Sequence, residues 1–153
     1  MNKKCGVIIV LLLAVIFGGA YKFLVQGSVA EGKDGRVVIL LDASERLYIL
    51  GEMRSLLGHM QELVTAISND DMDNVIKVAE TLVNDSSGKT PARIIAKMPL
   101  AFKQISISIH SDFKQLLAES KEKRDTKLAL KQLSKIMQNC LACHATHSLM
   151  PKQ

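Results

Sequence analysis

The stretch DASERLYILGEMRSLLGHMQELVTAIS, residues 42–68, decides the fold class. Asp42-Ala43-Ser44-Glu45 has the capping-box spacing, in which two side chains and two backbone N–H groups satisfy one another at a helix start. After it, Ile49, Met53, Leu56, Leu57, Met60, Leu63, Val64 and Ile67 recur at intervals of three and four, which is the apolar stripe of an amphipathic helix. The spacing predicts a helix over about 43–68. Asn69-Asp70-Asp71 breaks it and caps a second stripe of Met72, Val75, Ile76, Ala79, Leu82 and Val83. Residues 84–91 (NDSSGKTP) read as a connection.

Pro99 suits the first turn of a third helix, with Phe102, Ile105, Ile109, Phe113 and Leu116 on one side. Ile105 to Ile109 alternates like a strand, but the five residues lie inside a longer helical pattern and follow it. Asp125 caps a fourth helix carrying Leu128, Leu130, Leu133, Ile136, Met137, Cys140, Leu141 and His144. Long helices joined by short connections fold back on one another. The expected class is therefore all-α: an antiparallel four-helix bundle over residues 37–153. With two Tyr, four Phe and no Trp, the composition disfavours a β-sandwich or barrel.

Upstream, Asn2-Lys3-Lys4 is a short basic start and Gly6–Tyr21 carries no charge. Continued to Val25, the run is about 30 Å long as a helix, the hydrocarbon thickness of a bilayer. Residues 1–5 then read as a cytoplasmic N-terminus and 6–25 as a transmembrane anchor, with Lys22 snorkelling to the far interface. A cleaved secretory signal is the alternative, because Ser28-Val29-Ala30 supplies small residues at the usual spacing. Either way the remainder is exported. Cys5 precedes the apolar run and reads as a free thiol. Residues 26–36 are polar and Gly-rich, which predicts a flexible stalk. A net charge of +5 is too weak and too scattered for a nucleic-acid surface. Lys121–Arg124 and Lys127–Lys135 read as a solvated helix face, with a partner-docking patch as the alternative.

Chemistry concentrates in Cys140-Leu141-Ala142-Cys143-His144. C-x-x-C-H is the attachment pattern of c-type haem: two thiols add across the porphyrin vinyl groups and the adjacent His reaches the iron. On a helix Cys140 and His144 stand at i and i+4 and share a face. Chance supplies this pattern in roughly one chain of this length in a thousand. Three other chemistries use the same residue types. A thioredoxin-like redox pair wants a helix N-terminus to lower its thiol pKa, and this pair lies near a C-terminus. A zinc site from Cys140, Cys143, His144 and His147 has suitable donors, but adjacent Cys143 and His144 converge poorly on a tetrahedral ion. A Cys140–Cys143 disulfide needs a tight loop that a helix does not provide. Haem attachment takes place outside the cytoplasm, in keeping with export. No catalytic carboxylate dyad, Ser/His/Asp set or phosphate loop stands in the sequence, and no enzymatic activity is expected.

A C-x-x-C-H on the last helix of an all-α bundle resembles the class II c-type cytochromes, the cytochrome c′ group. The likeness covers about residues 36–150. The motif at Cys140–His144 carries it, with softer support from Lys97-Met-Pro-Leu-Ala-Phe102-Lys and His110-Ser-Asp-Phe113. Gly35-Arg36 through Glu45-Arg46 and Glu52-Met53-Arg54 also resemble a subgroup that keeps an N-terminal membrane anchor. The resemblance implies one covalent haem c near one end of the bundle, with Cys140 and Cys143 as thioethers and His144 as the proximal iron ligand. It places Met53, on the first helix, at the distal position.

Met60 lies two turns farther along, roughly 10 Å, so only one of the two could reach the iron. An open distal face and a His ligand stay as alternatives. His59 and His110 read as surface residues, and His147 as a basic ring suited to the helix C-terminus. The group often has Tyr and a basic residue where this chain has His147-Ser148. A Met at the distal position goes with low-spin electron carriers, an apolar residue there with five-coordinate proteins that bind NO or CO. The expected function is thus electron transfer with a redox partner protein, from the periplasmic face of the inner membrane. The alternatives are gas binding, and a soluble periplasmic form after signal cleavage. A homodimer is in keeping with the group.

Overall fold

The protein is described here by a computed structural model covering residues 3–85 and 90–151. Met1 and Asn2 of the expected cytoplasmic start, and residues 86–89 of the expected connection, lie outside the described residues. The chain is mostly helical. Helix α1 (Lys3–Ala20) runs into a wider π-helical turn, Tyr21–Gln26. Its apolar side chains, among them Leu11, Val15, Phe17 and Phe23, are exposed. Gly6–Gln26 is long and apolar enough to cross a membrane.

The four stripes form helices where their spacing places them. Helix α2 (Ala43–Ser68) begins at Asp42, whose backbone N–H donates to Glu45 Oε2 at 3.0 Å. It ends where Asp70 takes a left-handed φ of 54°. Asp71 Oδ1 then accepts from the Asn74 N–H at 3.0 Å and starts α3 (Met72–Asp85). A short α4 (Ala92–Ile95) precedes α5 (Leu100–Lys123). Asp125 Oδ1 accepts from Lys127 and Leu128 N–H groups at 2.9 and 3.1 Å and opens α6 (Thr126–Thr146). Helix α2 packs on α3 and α6, and α5 packs on the same two. One core takes residues from all four: Met60, Leu63 and Ile67 of α2, Val75 and Leu82 of α3, Phe113 and Leu116 of α5, Leu133 and Ile136 of α6. Lys121, Lys123, Arg124 and Lys135 each pair with an acidic side chain, as a solvated helix face does.

The expectations of an all-α chain and of a flexible stalk over 26–36 need correction. Strand β1 (Val29–Glu31) pairs antiparallel with β2 (Val37–Leu41), and β3 (His147–Pro151) pairs parallel with the other edge of β2. The turn between β1 and β2 closes through Gly32 N–H to the Arg36 carbonyl at 2.8 Å, with Gly35 at φ +80°. The segment is ordered because β2 offers an apolar strand with two free edges, and pairing satisfies them. Ile39 and Leu41 lie in a second small core with Ile49, Ile94 and Met98, at the end of the helices where α2 begins and α6 ends.

A charged group fixes this end. Glu45 is buried, at 4% exposure, and its Oε2 lies 2.6 Å from Lys97 Nζ, which also bonds Asp42 at 3.0 Å. The Lys97 hydrogen bond holds the Glu45 carboxyl below its ordinary pKa, helped by the Asp42 N–H. Lys97→Met leaves the buried Glu45 carboxylate to the Asp42 N–H and to the Arg93 guanidinium 3.7 Å away, and is expected to cost about 2 kcal/mol near neutral pH. A group with a lowered folded pKa stabilises above its unfolded value and loses that contribution as pH falls through the folded one. Thermal melts of the two proteins should therefore differ at about pH 7, and the gap should narrow as pH falls through the lowered Glu45 pKa. A gap that persists in acid would show that Lys97 acts by packing alone.

Candidate functional site

Helix α6 places the thiols and the imidazole by its own geometry. Cys140 and Cys143 are free and half-buried on its last turns, and His144 follows on the exposed rim. Burial pushes both thiols above their ordinary pKa, and the neighbouring Cys140 adds to this at Cys143. These are not the acidic thiols of a redox-exchange pair. Among the described residues no three His, Cys, Asp or Glu side chains gather as a metal group.

Opposite the motif, α2 brings Leu50 and Met53 to a cavity of about 170 Å³ whose walls also include Cys143 and His144. Met53 and His144 stand about ninety residues apart in sequence and meet only through the packing of α2 beside α6. Phe102 of α5 and Leu149 of β3 line the rest with apolar surface. Met53 and Phe102 also form the wall of a neighbouring cavity of about 500 Å³, between α2 and α5. The other candidates go elsewhere. Met60 is buried in the main core. His59 lines the neighbouring cavity. His110 is half-buried on α5, its Nδ1 without a partner, and burial lowers its pKa.

His147 departs from the expectation of a charged ring at a helix end. It takes extended backbone angles (φ −128°, ψ 150°) and begins β3. Its ring is buried edge-on to Phe102, with centroids 5.7 Å apart, and its Nδ1 lies 2.8 Å from Thr146 Oγ1. Burial pushes its pKa down and favours the neutral ring. The imidazole serves as packing under the motif.

Two residues escaped the sequence reading. Arg36 Nη1 donates to the His144 carbonyl at 3.2 Å, while its Nε and Nη2 hold Asp34, each at 2.7 Å. It thus ties the free C-terminal carbonyl end of α6 to β2 and sets a cation on the cavity rim. Ser148 Oγ is buried on the cavity wall without a hydrogen-bond partner. Neither has a local signature, because both matter only through the parallel pairing of β2 with β3.

The chain matches no protein-family model, no curated protein and no solved structure. What the site can do thus rests on its donors. The cavity is walled by the Cys143 thiol, the His144 and His147 imidazoles and the Met53 thioether, with the Ser148 hydroxyl without a partner beside them.

Proposed function

We propose that the chain is a membrane-tethered, periplasmic c-type cytochrome that transfers electrons. In this reading α2, α3, α5 and α6 form an antiparallel four-helix bundle with one haem c at the sheet end. Cys140 and Cys143 would hold it as thioethers, with His144 and Met53 as the ligands of its iron. The observation that carries the reading is the convergence of Met53 from α2 on the cavity bordered by Cys143 and His144. When bound, the group supplies reversible one-electron chemistry.

The chain's own residues do the rest. The helical spacing of the motif presents the thiols and the imidazole together, and Arg36 steadies the carbonyl of the ligand residue. Leu50, Phe102 and Leu149 give the cavity apolar walls. Met53 and Phe102 line both this cavity and the neighbouring one of about 500 Å³, so both would border a group held at the motif. A thioether opposite imidazole stabilises the reduced state and raises the potential relative to two imidazoles.

Visible spectra of protein made with the haem-attachment machinery test this. Covalent haem with a low-spin spectrum in both oxidation states is the expected result. A colourless protein overturns the reading. Rapid, complete binding of carbon monoxide by the reduced protein replaces electron transfer with gas binding.

A further inference from the structure

We infer that the apolar N-terminal helix is a fixed mount built into the domain, so that the domain is held in one orientation at the membrane. This goes beyond the electron-transfer reading and does not depend on what the cavity holds. The helix continues without a break into Tyr21–Gln26, and the domain caps its end: Lys103 Nζ donates to the carbonyls of Phe23 and Leu24 at 2.9 and 3.2 Å. A cation on the last free carbonyls of a helix satisfies them and complements the helix dipole.

The next residue is pressed against the domain. Gly27 has φ +70°, and a Cβ there would lie 2.5 Å from the Lys97 carbonyl oxygen and 2.8 Å from the Pro99 nitrogen. Only glycine allows that approach of two backbones. Ser28 N–H then donates to the same Lys97 carbonyl at 2.7 Å, and its own carbonyl accepts from the Leu40 N–H at 2.8 Å. Val29 packs against the second core.

The contacts lead straight to the site. Lys97, gripped by Ser28 through its backbone, holds the Asp42–Glu45 start of α2, the helix of Met53. Strand β2, paired with β1 on one edge, carries β3 on the other, directly after α6. A polar Gly-rich linker would have left the domain free to tumble on its tether. Here residues 27–31 are structural. Cutting after Ala30 would remove most of β1 and leave the Lys97 carbonyl and an edge of β2 unpaired. Ser28-Val29-Ala30 thus serve as structure in the mounted domain, and the inference requires that they are kept.

The test is hydrogen exchange on the full chain in lipid nanodiscs, with intact mass of the membrane-purified protein. The amides of Ser28, which donates to the Lys97 carbonyl, and of Ala30, opposite Val38 in the ladder, should exchange at least a hundredfold slower than unprotected ones. Lys103→Met should raise exchange over 24–28 at least tenfold with α6 unchanged. Unprotected exchange at Ser28 and Ala30, no response to Lys103→Met, or a mass beginning after Ala30 would each overturn the inference. A colourless protein that is protected at Ser28 and Ala30 defeats the haem reading and leaves the mount standing.

Discussion

Met53→Ala should turn the low-spin spectrum of the haem-loaded protein into a high-spin one, and the reduced variant should bind carbon monoxide rapidly and completely. The expectation follows from what stands across from His144. Met53 is the thioether on the wall of the cavity that His144 borders, and it stands there with the imidazole of His147. Met60 is fixed in the main core with Leu63 and Ile67, and His59 lines the other cavity. Because Met53 is half-buried and lines empty space, truncation should cost only about 1–2 kcal/mol, and the fold should survive. The spectral change would then report a lost ligand in an intact domain. An unchanged low-spin spectrum would remove Met53 from the iron and leave its role as packing.

The double replacement Cys140→Ser and Cys143→Ser should abolish covalent haem altogether, read as loss of haem staining on a denaturing gel. His144→Ala should leave the staining and change the spectrum, because attachment and ligation rest on different atoms. The two outcomes separate the thiols' role from that of the imidazole. Staining that persists in the double variant would sink the attachment site. Loss of haem should also loosen the sheet end, where the second core is small and two cavities adjoin it. The other end should be unaffected, since Phe113, Leu116, Leu133 and Ile136 are close-packed there.

Much of this was legible because its signals are local. The Asp42–Glu45 pair and the Asp125 cap mark helix starts within four residues of themselves, and the stripes repeat within one segment. Cys140, Cys143 and His144 form one contiguous motif on one helix face. The sheet had no such signal. Residues 37–41 (VVILL) are uniformly apolar and show no alternation, and β1 is three residues inside a polar run. The partner of Val37 on the parallel edge is His147, near the other end of the chain. Nothing within either segment announces that pairing.

The methionines show the same division. Met53 and Met60 lie on one apolar stripe, and periodicity makes them equivalent. The sequence by itself determined the helices, the apolar span and the donor motif, because each depends on residues a turn or two apart. Only the tertiary structure decided that Met60 goes into the core and Met53 to the cavity. It alone decided that Arg36 holds the His144 carbonyl and that residues 27–31 tie the apolar N-terminal helix to the rest of the chain. Those outcomes depend on which distant backbone edges and helix faces meet, and contact between distant segments is set by packing the whole chain at once.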